Sequence, residues 1–139
     1  LANLVIDASV ALKWTIEEEG SNAARRILLE DTLAAPDLLW LECANVLWSK
    51  ARRRQISTGD ARAALAAILA APVDCVPSRE LADVAQAIAF DLDDTAYDSL
   101  YLAVAIERNA VFVTSDAKFH NAASANALYR DRVRLLPAS

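Results

Sequence analysis

A chain of 139 residues, 55% hydrophobic and 24% charged, is long enough to bury a core without disulfide or metal staples and too apolar to be disordered. Its fourteen basic and nineteen acidic residues give a net charge of −5, which counts against a protein that coats nucleic acid without regard to sequence. Two glycines exclude a Walker phosphate loop, a dinucleotide fingerprint and a G-x-S-x-G elbow, and a single histidine, His120, excludes chemistry built on a histidine pair.

In chain order, residues 3–7 predict a short buried strand and Ala8 to Glu18 a helix capped near Asp7 or Ser9. Ser21 to Leu33 reads as a second helix, and Pro36, placed in a first turn, opens a third over "DLLWLECANVLWSKARRR". "STGDARAALAAILAA" is a fourth helix with Ser57, Thr58 and Asp60 as start signals. "VDCVP" (73–77) is a strand, "SRELADVAQAIAFDL" and "TAYDSLYLAVAIERN" are helices, and Asp93 or Asp94 is expected to cap the second of these. "AVFVT" (110–114) is a strand, "SDAKFHNAASAN" a short helix and "RVRLL" (132–136) a last strand. Strands alternating with helices imply parallel pairing, an α/β fold of the three-layer α/β/α sandwich kind. One domain over 1–139 is the simplest division, with no repeat or linker. No apolar run reaches membrane-spanning length, and no signal peptide is visible, although the chain begins at Leu1 and its true N-terminus is open. Cys43 and Cys75 lack metal-type spacing and read as small buried residues of a reducing compartment, the cytoplasm.

The acids are placed less ordinarily. In open parallel sheets, sites form beyond the carboxyl ends of the strands. Asp7 ends the first strand and Asp116 follows "VFVT" by one residue, so both fall on that edge. Glu42 has Leu38, Leu39, Asn45 and Val46 as helical neighbours, and Asp98 has Tyr101, Leu102 and Ala105. Ionised acids in apolar stripes are costly unless compensated. Four gathered carboxylates raise one another's pKa, and a divalent cation resolves that. All-oxygen ligation favours Mg²⁺ or Mn²⁺ over zinc and suits hydrolysis of a phosphodiester.

The segments "VIDASV", "LLWLECANVLW", "TAYDSLYLAVA" and "VFVTSDAKF", in that order, resemble PIN-domain ribonucleases, and more narrowly the VapC-type toxins of prokaryotic toxin–antitoxin pairs. The resemblance implies a parallel sheet of order 3-2-1-4-5 and Mg²⁺- or Mn²⁺-dependent endonuclease activity on RNA (tRNA, rRNA or mRNA). It maps the family's acids onto Asp7, Glu42, Asp98 and Asp116, and its hydroxyl onto Thr114 or Ser115. It also implies a homodimer and a cognate antitoxin that reaches into the site.

Plainer readings stand beside these. Asp7 and Asp116 could serve as N-caps, Glu42 could be a partly exposed helix residue, and Asp94, one turn before Asp98, could support it or merely cap a helix. The helix around Glu42 is apolar nearly all round, which fits a dimer face, an antitoxin groove or plain core packing. The basic run Lys50 to Arg54 suits a helix C-terminus as well as an RNA or antitoxin contact, and His120 reads as a surface residue or a phosphate contact. Trp14, Trp40 and Trp48 are core or interface residues by default. Two functional competitors remain: a receiver-like phosphoacceptor module, which also carries acids at strand ends, and a catalytically inactive PIN-fold interaction module.

Overall fold

The computed structural model describes residues 3–139. The most apolar strand, β1 (Asn3–Ile6), has Leu4, Val5 and Ile6 all buried, as a strand covered on both faces requires. It pairs in parallel with β2 (Thr32–Pro36) on one side and β4 (Val111–Thr114) on the other. β3 (Val73–Val76) extends the β2 side and β5 (Val133–Leu135) the β4 side, both parallel, giving the order β3-β2-β1-β4-β5. This is the α/β sheet order that the resemblance implied. It differs from the 2-1-3-4-5 order of receiver-type folds.

The helices are α1 (Ala8–Ala11), α2 (Ser21–Glu30), α3 (Leu38–Arg52), α4 (Thr58–Leu69), α5 (Ser78–Leu92), α6 (Ala96–Glu107) and α7 (Ala117–Ser124). Helix α6 is the core helix: every residue from Ser99 to Ala105 is buried, and it packs against β1, β2 and β4. Tyr101 on α6 stacks on Phe112 of β4 with ring centroids 5.6 Å apart, and Phe112 meets Phe119 of α7 edge-on at 5.7 Å. Among the described residues no helix is long and apolar enough to cross a membrane.

Four expectations are corrected. The helix expected from Ala8 to Glu18 stops at Ala11 and passes through a 3-10 turn, Leu12–Trp14, where Trp14 Nε1 donates to the Ala24 carbonyl at 3.0 Å and ties the turn to α2. The β-branched Thr15 and Ile16, and the left-handed turn at Gly20 (φ 89°), oppose continuing it. The helix expected through Leu33 ends at Glu30, because the chain turns extended at Asp31 and forms β2. Pro36 therefore does not open α3; it closes β2 opposite Val76. Asp37 follows it and accepts from the Ser78 N–H at 3.1 Å, joining the starts of α3 and α5. Finally, neither Asp93 nor Asp94 caps α6. Thr95 does, accepting from the Asp98 N–H at 3.1 Å, while Asp93 ends α5 in the left-handed region (φ 53°).

Candidate active site

The parallel sheet sends the ends of β1 and β4 out at the same edge, and this edge gathers the acids. Asp7 follows β1 and caps α1, accepting from the Val10 N–H at 3.3 Å. Ser9 Oγ donates to its Oδ1 at 2.5 Å, and Thr114 Oγ1, buried at the end of β4, donates to its Oδ2 at 2.6 Å. A carboxylate offers about four acceptor positions; among the described residues three are filled, leaving one on Oδ2. Burial pushes the Asp7 carboxyl up from 3.8 to about 6, against the hydrogen bonds from Ser9, Thr114 and Val10, with the Glu42 charge adding to the rise.

The same small network holds the end of β4. The Ser115 N–H donates to Ser9 Oγ at 3.0 Å and the Asp116 N–H to Thr114 Oγ1 at 3.1 Å. Asp116 in turn caps α7, accepting from the Phe119 N–H at 3.1 Å. Thr114 thus links the two strand-end acids. Ser115 takes part through its backbone alone, since its hydroxyl finds no partner among the described residues.

Glu42 lies half-buried on the second turn of α3, and Tyr101 Oη donates to its Oε1 at 2.6 Å. Burial first, and the Glu42 carboxylate second, hold the Tyr101 hydroxyl above the ordinary tyrosine range, so it stays a donor. Asp98 sits in the first turn of α6, where the helix dipole favours a negative charge. Its pKa nevertheless rises from 3.8 to about 7. Burial is the largest cause, followed by a hydrogen bond shared with the Asp94 carboxyl and the charges of Asp94, Asp116 and Glu42. Asp94 also accepts from the Thr95 N–H at 2.6 Å, so it holds the start of α6 while facing Asp98. Glu42 therefore lies within electrostatic reach of both Asp7 and Asp98, and Asp98 also of Asp94 and Asp116.

Among the described residues no three His, Cys, Asp or Glu side chains close into a cage around one point. A hard, hydrated cation needs no such cage, since Mg²⁺ keeps several waters and is bound through one or two carboxylates. An all-oxygen donor set, an open position on Asp7 Oδ2 and unrelieved repulsion at Asp98 fit an ion of that kind.

Other residues singled out in the sequence lie outside the cluster or support it differently. His120 is half-buried on α7 with Nε2 3.3 Å from Ser124 Oγ. The basic run closes α3, and the Arg52 guanidinium lies 5.6 Å over the Trp48 ring. Sequence reasoning missed Tyr101 and weighed Ser9 only as a cap. The D-x-S spacing, which lets the serine hydroxyl reach back to its own acid, was the available signal for Ser9. Tyr101 is 59 positions from Glu42 and carries no local signal.

Solved structures share this fold. PAE2754 from Pyrobaculum aerophilum is 24% identical with a TM-score of 0.70, the alignment covering 87% of this chain and 79% of that one. VapC20 from Mycobacterium tuberculosis, described as a sarcin-ricin loop cleaving toxin, is 17% identical at a TM-score of 0.66, covering 86% and 94%. VapBC2 from Rickettsia felis, solved bound to a DNA fragment from its promoter, is 12% identical at 0.62, covering 96% and 98%. No curated protein sequence is significantly similar. The PIN-domain family model matches residues 4–125, most of the chain, and the chain is thus a member of the PIN-domain family.

Proposed function

We propose that this PIN-domain protein is a divalent-metal-dependent endoribonuclease, the toxin of a prokaryotic toxin–antitoxin pair. The observation that carries the reading is the placing of Asp7 and Asp116 after the carboxyl ends of β1 and β4 of a PIN-type sheet, with Glu42 and Asp98 in electrostatic reach and Asp98 raised to about 7 by burial first and by its acidic neighbours second. Mg²⁺ or Mn²⁺, keeping most of its waters, would be held through one or two of these carboxylates with the others nearby, and would supply the Lewis acidity and the acidified water that phosphodiester hydrolysis needs. The chain's own residues prepare the site. Ser9 and Thr114 fix the Asp7 carboxylate, Tyr101 fixes Glu42, and Asp94 lowers the tendency of Asp98 to ionise until positive charge arrives. Hydrolysis of this kind leaves a 5′-phosphate and a 3′-hydroxyl and does not use the 2′-hydroxyl.

An antitoxin partner is supported by the likeness to VapBC2 and by apolar surface on α3, where Leu41 and Trp48 are 70% and 58% exposed. Leu41 adjoins Tyr97 of α6, which is 68% exposed, and this pair is our candidate for the homodimer face. The free thiols Cys43 and Cys75 are in keeping with the cytoplasm. The inactive-module reading is disfavoured by the intact acid cluster.

The test is incubation of the purified, antitoxin-free protein with end-labelled RNAs, with and without Mn²⁺, beside Asp98→Asn. Metal-dependent cuts bearing 5′-phosphates, lost in the variant, are expected. Products ending in 2′,3′-cyclic phosphate, or cutting that survives chelation, would overturn the reading.

A further inference from the structure

A cleft of about 430 Å³ opens beside the acid cluster, between the segment that follows β4 and the chain beyond β5. Lys13, Gly20, Ser115, Leu136 and Pro137 are on its wall, and Ser115 stands in the chain between Thr114 and Asp116. The Ser115 N–H is bonded to Ser9 Oγ, the donor to Asp7, so the cleft neighbours the candidate site although none of the four acids lines it, and a cleft of this size accommodates a small ligand group. Lys13 is its only cation, and Glu19, exposed, its only acid.

Lys13 is unusual among the chain's basic residues. Its side chain is 13% exposed, well covered for a lysine, and packs beneath Gly20, where an added Cβ would stand 3.4 Å from Lys13 Cδ. An ammonium has three donors, yet the one acceptor it meets among the described residues is Glu18 Oε1, at 3.0 Å. Glu18 is far more exposed, at 37%, and belongs to the acidic run 17–19. Lys13, an under-used donor with a positive charge, thus lines a cleft that neighbours the carboxylates.

We infer that this cleft is a subsite for a backbone phosphate of the RNA next to the scissile one, with Lys13 released from Glu18 to bind it. The inference rests on the ribonuclease reading and adds to it a substrate-binding residue and a regulator, Glu18, that holds the ammonium when RNA is absent. In a chain of net charge −5, one sheltered cation beside the cluster orients the strand without general attraction to polyanions.

The test uses the Asp98→Asn protein, expected to be uncleaving, with a fluorescent RNA titrated over a range of salt. Lys13→Ala in that background should weaken binding about tenfold, the scale of one charge-assisted hydrogen bond, and lower the salt slope by about 0.7 for one lost phosphate contact. Glu18→Gln, which frees the ammonium, should tighten binding, and Lys13→Arg should preserve it. A structural ion pair predicts something different: Lys13→Ala and Glu18→Gln would change binding in the same direction or leave it alone, and either result overturns the subsite. If the parent protein bound no RNA and the native protein cut none, the ribonuclease reading itself would fall, and the subsite with it.

Discussion

At the scale of single residues, the proposed site holds two carboxyls, Asp7 and Asp98, whose ionisation the metal-free protein disfavours. Asp7 and Asp98 have native pKa values raised to about 6 and about 7, so the folded state binds their protons more tightly than the unfolded chain does. Their contribution to stability is therefore fullest below their unfolded value near 3.8 and is lost as pH rises through 6 and 7. With chelator present, the contribution of these two groups to the denaturant midpoint should fall between about pH 4 and about pH 7, and Asp98→Asn should flatten that fall and be at least as stable as the parent at the upper pH. A variant that unfolds instead would make Asp98 a structural residue. Ser9 gives a second expectation. Ser9→Ala removes the donor to Asp7 Oδ1 and the acceptor for the Ser115 N–H, so Mn²⁺ affinity by calorimetry should drop about tenfold or more while the fold persists. An unchanged affinity would show that Thr114 alone positions Asp7.

At the scale of elements, the chain announces what is strongly patterned and hides what is not. The runs Leu4–Ile6 and Val111–Val113 are legible as strands because β-branched and large apolar residues fill both faces. β2 was not legible. Its sequence, TLAAP, has one β-branched residue and ends in proline, and it follows Leu28 and Leu29, which prolong the helical pattern. Only its position between β1 and β3 makes it a strand, and small Ala34 and Ala35 suit it to a crowded centre. The acids at strand ends were legible because the strands before them were; the Tyr101–Glu42 bond was not, since it joins α6 to α3 across 59 positions of sequence. Two substitutions probe the elements. Phe112→Ala, which empties the centre of the Tyr101–Phe112–Phe119 stack, should cost about 3–5 kcal/mol in chemical denaturation. Gly20→Ala should cost about 1–2 kcal/mol, because φ is 89° there and a Cβ would stand 3.2 Å from the Pro137 carbonyl oxygen. A neutral outcome at Gly20 would mean that the C-terminal segment yields easily.

At the scale of the whole molecule, a parallel sheet brings acids from four separate segments to one edge, and the core helix α6 carries both the acid Asp98 and the tyrosine that fixes Glu42. Exposed Leu41 of α3 and Tyr97 of α6 line one pocket with Glu42, so the proposed partner surface and the proposed site share a face of the protein. The central claim is that the carboxylates form a cation site, and calorimetric titration of Mn²⁺ into the antitoxin-free protein near pH 6.5 tests it most directly. Binding is expected to be lost in Asp7→Asn and Asp98→Asn, with an enthalpy that varies with buffer ionisation heat as Asp7 and Asp98 give up protons. Binding that persists in both variants, or no binding at millimolar Mn²⁺, would contradict the account.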